Sequence, residues 1–283
     1  MKKIALINDL SGFGKCSLTA AIPVISVMGM QACPLPTAVL TAQTGFEEYY
    51  CDDYTDKMDL FIRYWNKMEV SFEGICSGYL AGPAQINKVL HFLDIFKKGE
   101  TLFLADPVLG DHGMLFKNFD NRLVEEMKKL TRRADVITPN LTELCLLAGA
   151  DYFELVSHRN EKNFIERIAE IGNNLLSEAV REQKIIVTGI LTTGTRDERI
   201  GNMIIGKEYF YYRDIHYTGK SFSGTGDLFA AVVCGAMVKG MEAKAAVDRA
   251  VYFLQEAIGA ATRDNIPPVH GVHFEKYLSR LIE

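Results

Sequence analysis

The chain has 283 residues, 48% hydrophobic and 24% charged, with 23 Gly and 8 Pro, which excludes a disordered, collagen-like or low-complexity protein. Its 31 Lys and Arg against 36 Asp and Glu leave a formal charge of −5, so it lacks the basic footprint of a nucleic-acid or anionic-membrane binder. Six scattered cysteines (16, 33, 51, 76, 145 and 234), with no Cys-x-x-Cys pair, read as free thiols in a reducing compartment.

In chain order, residues 4–7 predict a compact buried strand, followed by a polar, glycine-bearing turn over 8–14. Asn8 and Asp9 end the apolar run too early for a signal peptide. A helix is expected over 17–28 and a strand over 38–40. Residues 16–46 carry no charge, but Pro23, Pro34, Pro36 and interspersed polar residues break them below the roughly 20 apolar residues of a membrane span. A soluble, cytoplasmic protein is expected. Met58, Phe61, Ile62, Trp65 and Met68 recur at helical spacing, as do Ile86, Val89, Leu90, Leu93 and Phe96. Between and after these stripes, strands are expected over 75–79 and 102–105, the latter ending at Asp106-Pro107. Val136 and Ile137 end another strand at Pro139. A long helical face from Phe164 to Ala179 precedes a strand over 185–188. Two β-rich runs flank Gly206-Lys207 within 199–215 and predict an antiparallel hairpin at a sheet edge. Beyond Gly226 the pattern is helical over 230–238, 243–261 and 274–281.

Strand–helix alternation without repeats or Gly/Ser-rich linkers predicts one α/β domain over 1–283. It has a mostly parallel central sheet with helices on both faces and an antiparallel edge hairpin.

The strongest chemical signal is Ser223-Gly224-Thr225-Gly226-Asp227, opening an apolar helix. Glycines let backbone approach a ligand, and the free N–H groups of a first helical turn form an anion site. Asp227 alone could simply be a helix cap. Candidate ligands at other strand ends shift that balance: Asp106 and Asp111, Asn140 and Glu143, and Thr188. Carboxylates gathered at strand ends suit Mg²⁺, which takes a few oxygens plus water and phosphate. The segment from Asp9 to Cys16 imitates a P-loop but has Asp where Gly is needed and Cys where Ser or Thr is needed. His270 and His273 read as surface or core residues, and Cys145 as packing.

Gly224-Thr225-Gly226-Asp227-Leu228-Phe229-Ala230-Ala231 resembles the signature of the ribokinase-like small-molecule kinases. Asp106-Pro-Val-Leu-Gly-Asp111 and Thr138-Pro-Asn-Leu-Thr-Glu143 are similar to the pyridoxal kinase forms of two further motifs. Ser11-Gly-Phe-Gly14, Gln43-Thr44-Gly45-Phe46 and Ser77-Gly78-Tyr79 resemble that branch's substrate-side segments. The resemblance runs in order from about residue 4 to 260. It implies a ribokinase-like fold and ATP-dependent phosphorylation of the 5′-hydroxymethyl group of pyridoxal, pyridoxine or pyridoxamine. By matching position, it makes Asp227 the catalytic base and Gly224, Thr225 and Gly226 the anion hole. Asn140, Thr188 and Ser223 would bind ATP; Asp106, Asp111 and Glu143 would organise Mg²⁺, some through water; Ser11, Thr44 and Tyr79 would face the pyridine ring. It further implies a homodimer and admits a monovalent cation such as K⁺. Gln43 stands where His is often found and Phe46 where Tyr is common. The alternative is a hydroxymethylpyrimidine kinase of thiamin synthesis, which keeps the same phosphate machinery.

Overall fold

The computed structural model describes residues 1–193, 197–207 and 209–282. In chain order the elements are β1 (Lys3–Ser11), α1 (Ser17–Val27), β2 (Gln31–Leu40), β3 (Cys51–Asp53), α2 (Thr55–Lys67), β4 (Gly74–Ser77), α3 (Pro83–Phe96) and β5 (Leu102–Ala105). There follow β6 (Gly110–Asp111), β7 (Met114–Leu115), α4 (Asn121–Thr131), β8 (Val136–Ile137), α5 (Leu141–Ala148), α6 (Tyr152–Ser157) and α7 (Phe164–Leu176). The chain ends with β9 (Lys184–Thr193), β10 (Glu198–Gly206), β11 (Tyr209–His216), α8 (Thr225–Val238) and α9 (Ala243–Arg263), then two 3₁₀ turns, Pro268–His270 and Phe274–Leu281. The large sheet has strand order β11-β10-β9-β8-β5-β4-β1-β2-β3, and β6 and β7 form a separate small hairpin. This is the expected α/β class. The chain divides into two compact units, Met1–Leu104 with Lys220–Glu283, and Ala105–Gly219.

In the first unit β1 is central, parallel to both β2 and β4. Ile4 to Ile7 are at most 1% exposed, as a strand covered on both faces requires. The strand runs four residues past the expected boundary. Ser11 still pairs with Leu40, with a bulge between Asn8 and Leu10, so residues 8–11 are strand rather than turn. β2 likewise starts at Gln31 rather than 38, despite Pro34 and Pro36. Its antiparallel partner β3 pairs only from Ala38 to Leu40. The two prolines, two residues apart, therefore direct their missing donors to the side that has no ladder. α8 is apolar throughout, with ten of its residues buried, and packs against α1, α9 and β4. The last segment is a 3₁₀ helix, not the α-helix that its spacing suggests.

The second unit holds the expected edge hairpin, β10 antiparallel to both β9 and β11. β9 continues to Thr193 because β10 pairs along it to Glu198. Three helices, α4, α5 and α6, have no counterpart among the helices expected from the sequence. The strongest is α4, capped by Asp120 accepting from the Leu123 N–H and burying Leu123, Val124, Met127 and Leu130 on one face. No helix among the described residues is long and apolar enough to cross a membrane. The described cysteines are free thiols.

Candidate active site

In the first unit the C-terminal end of β1 meets the N-termini of two helices. Gly224 caps α8 at φ 80°, and a Cβ there would stand 1.9 Å from the Lys15 carbonyl oxygen. Only glycine allows that approach without strain. A Cβ on Gly226 would meet nothing within 4 Å, so there is open space beside the first turn of α8, whose leading N–H groups have no intrahelical partner. That is the geometry of an anion site.

Asp227 lies in that first turn. Its Oδ1 accepts from Asn8 Nδ2 at 2.9 Å, and the Ser17 backbone N–H, at the start of α1, also donates to its carboxylate. Ser17 itself adopts φ 51°, a left-handed conformation uncommon for serine. Part of Asp227 remains accessible, but the dense surroundings strip its carboxylate of water. That desolvation, helped by the negative charge of Asp9, raises its pKa to about 6. Asp227 is thus a stronger base than an ordinary carboxylate and is still ionised at neutral pH.

The expected substrate-side residues lie on the loops around this point. Ser11 is fully buried, and its hydroxyl donates to Asp9 Oδ2 at 2.8 Å. Thr44 is exposed. Tyr79 donates its backbone N–H to Asn8 Oδ1 at 2.8 Å, and burial pushes its phenol up to about 12. Gln43, where a His is common in the resembling kinases, is buried. Its Nε2 donates to the Val269 carbonyl at 2.9 Å and to Ser223 Oγ at 3.3 Å, and its Oε1 accepts from the Gly45 N–H. Ser223 Oγ is thus drawn into the loop scaffold. His270 packs against Phe13 and Phe46, with ring centroids 5.4 and 5.7 Å away. Sequence reasoning missed Asn8, Ser17 and Gln43 as site residues. Asn8 was signalled only as a polar residue ending an apolar run, Gln43 by its place in the Gln43-Thr44-Gly45-Phe46 motif, and Ser17 by nothing local.

In the second unit Asp106 follows β5 and accepts from Thr138 Oγ1 at 3.0 Å. Asn140 and Glu143 form a capping box at the start of α5. Glu143 is 5% exposed, with Oε2 taking the Asn140 N–H at 2.8 Å and Oε1 the Leu109 N–H at 3.0 Å. Burial, then the nearby charge of Asp106, raises its pKa well above the usual carboxylate range. Asn140 Nδ2 donates to the Gly110 carbonyl, and Thr188 forms a parallel bridge with Asn140. Asp111 is about half exposed and turns to His112. The structure thus brings Asp106, Asn140, Glu143 and Thr188 together but leaves Asp111 outside. Among the described residues no three His, Cys, Asp or Glu side chains gather to hold a metal.

Two neighbouring carboxylates, one with both oxygens already bonded, fit Mg²⁺ held through water and phosphate rather than in a protein cage. Because Glu143 satisfies two backbone donors, Glu143→Ala should also destabilise the fold. The expected loss is about 1–3 kcal/mol per orphaned donor, read by urea unfolding. Unchanged stability would show that those bonds carry no weight.

A separate cleft of about 890 Å³, lined by Lys2, Phe72, Glu73, Phe96, Thr101 and Val238 among others, holds none of these residues. It opens at the opposite ends of β1 and β4, where the backbone offers no helix N-terminus.

The family model described as phosphomethylpyrimidine kinase matches residues 16–271. A candidate phosphomethylpyrimidine kinase from Bacteroides thetaiotaomicron, in its rhombohedral form, is 37% identical, with a TM-score of 0.91 over 100% of this chain and 94% of that one. Its orthorhombic form, solved with pyridoxal, is 36% identical, with a TM-score of 0.88 over 100% and 96%. The pyridoxal kinase of Lactobacillus plantarum is 25% identical, with a TM-score of 0.86 over 100% and 97%. A candidate pyridoxal kinase of Saccharomyces cerevisiae is 26% identical over 65% of this chain and 57% of its own, so the chain spans little more than half of that relative.

Proposed function

The chain belongs to the phosphomethylpyrimidine kinase family, and from that premise we propose that it transfers the γ-phosphoryl group of ATP to the 5′-hydroxymethyl oxygen of a B6 vitamer. The observation that carries this reading is Asp227, a raised-pKa carboxylate in the first turn of α8, where open space lies beside Gly226. Substrate identity leans on the whole-length relative that was crystallised with pyridoxal.

The substrate oxygen attacks the γ-phosphorus, the bond to the ADP oxygen breaks, and the alcohol proton passes to Asp227. Phosphoryl transfer asks the protein mainly for alignment and charge neutralisation. The N–H groups of Gly224, Thr225 and Gly226 supply the second to the moving group. Asn140 and Thr188 are assigned to the ATP phosphates, while Thr44 and Tyr79 border the ring. Ser11 acts on the ring side through Asp9. Asp106 and Glu143 would hold Mg²⁺, which would supply further neutralisation of phosphate charge. The proposal includes one kinase domain over 1–283, acting as a cytoplasmic homodimer, with K⁺ as an optional activator.

Asp227 must be ionised to accept the proton. With its pKa raised to about 6, kcat should be flat near neutrality and fall as pH drops through about 6, tending to tenfold per unit. A profile still flat at pH 5 would remove Asp227 as the titrating base.

The family name and the Bacteroides description favour a second reading, a hydroxymethylpyrimidine as acceptor. A coupled ADP-release assay against both rings separates them. The expected result is a kcat/KM at least about tenfold higher for a B6 vitamer, equal to about 1.4 kcal/mol of transition-state binding. Equal or better use of the pyrimidine would transfer the assignment to the thiamin pathway. Either outcome leaves the phosphate chemistry intact.

A further inference from the structure

Asn8 stands at the point where β1 leaves the core, 7% exposed. The direction of its amide is dictated by its neighbours. Oδ1 accepts two backbone N–H groups, from Tyr79 at 2.8 Å and from Asp9 at 3.0 Å. Both are obligatory donors, so the oxygen must face them. The Nδ2 edge is then left to face α8, where it donates to Asp227 Oδ1 at 2.9 Å. Gly78 leaves room for this arrangement: a Cβ there would stand 2.4 Å from Nδ2. One buried amide therefore joins three segments, the end of β1, the strand exit that carries Tyr79, and the first turn of α8.

We propose that Asn8 is the positioning residue of the transfer step, holding the Asp227 carboxylate ionised and in line with the segment that borders the acceptor ring. The inference rests on the reading of Asp227 as the base. Asn8 does not touch substrate. It acts by locking one carboxylate oxygen, so that with the Ser17 N–H, which also donates to the carboxylate, the group is directed by two bonds instead of one. A hydrogen bond donated to the charged form also favours that form, which opposes the burial that raises the pKa of Asp227. Two titratable groups face Asp227 from the packed elements among the described residues. Asp9, on β1, disfavours its ionisation. The Cys16 thiol, ahead of α1, is pushed up to about 12 and stays neutral.

The test compares pH–kcat profiles of the full-length enzyme and three variants. Asn8→Asp keeps the size and the two accepted bonds but replaces the fixed amide donor to Asp227 Oδ1 with a second carboxyl, whose like charge disfavours ionisation of Asp227. Its acid limb should move up by about one pH unit or more, with kcat at neutral pH at least about tenfold lower and the KM for ATP within about threefold. Gly78→Ala leaves Asn8 in place and asks for no unusual backbone angle, yet its methyl group displaces the amide. It should move the limb in the same direction by a smaller amount, and it keeps the test alive if Asn8→Asp does not fold. A limb that stays put in both variants, while Asp227→Asn has lost its turnover, overturns the role of Asn8 alone. Near-normal turnover in Asp227→Asn overturns the base assignment and this inference with it.

Discussion

Asp227→Asn is expected to lower kcat by about 10²-fold or more while leaving the KM for ATP nearly unchanged. The amide keeps the size of the carboxylate, but it cannot take the proton of the attacking alcohol. The loss should not come from unfolding, because of the sign of the linkage. A carboxyl whose pKa is raised to about 6 in the folded state favours folding below its unfolded value near 4 and loses that contribution as pH rises through about 6. At neutral pH the buried charge is therefore a burden that a neutral amide relieves, while the amide offers one accepting oxygen in place of two to Asn8 Nδ2 and the Ser17 N–H, and the two effects oppose each other. A melting temperature close to that of the parent, with turnover gone, is the expected pair of results. Near-normal turnover would remove Asp227 as the base. Proton transfer to a carboxylate is late in such a reaction, so alignment carries much of the effect. The size of the loss therefore bears on positioning as well as basicity.

Gly224→Ala should be the most damaging single change at the site. Its Cβ would stand 1.9 Å from the Lys15 carbonyl oxygen, a backbone atom that cannot rotate away. The left-handed φ of 80° adds about 1–2 kcal/mol for any residue with a side chain. The first turn of α8 must shift, and with it the N–H groups assigned to the moving phosphoryl group. A loss of about 10²–10³ in kcat is expected, the range seen when a preorganised donor is removed, together with a lower melting temperature. Gly226→Ala separates the two causes. Its methyl group enters open space, so the fold should be unaffected, while a phosphate group approaching that face would be obstructed. Thermal melts and steady-state rates on the pair decide the matter. A folded Gly224→Ala enzyme with parental kcat would show that this turn does not bear on transfer.

Local patterns were enough for much of this fold. The buried run from Ile4 to Ile7 and the helical stripes in α2, α3 and α7 were all visible from spacing. So were the strand ending at Ala105 and the edge hairpin about Gly206 and Lys207. Each depends on side-chain period and turn chemistry, which neighbours in sequence supply. The same holds for the Gly224 to Asp227 motif, whose glycines and acid sit together in the chain. Strand ends were less legible. β1 runs to Ser11, β2 begins at Gln31 and β9 reaches Thr193 because partner strands continue alongside them, and pairing is not written in either strand alone.

The sequence by itself determined the α/β class, the order of most elements and the glycine-rich turn that carries Asp227. What only the tertiary structure decided is how that turn is held. Asn8 is 219 residues from Asp227 in the chain, and Gln43 is 180 from Ser223. The structure also divides Asp106, Asp111 and Glu143, which looked like one set, into two neighbouring carboxylates, each accepting hydrogen bonds from other groups, and an exposed residue. Hydrogen bonds between distant segments leave no periodic trace. An isolated polar residue at a strand end satisfies many possible partners equally well, and only the packing of helices and strands selects one of them.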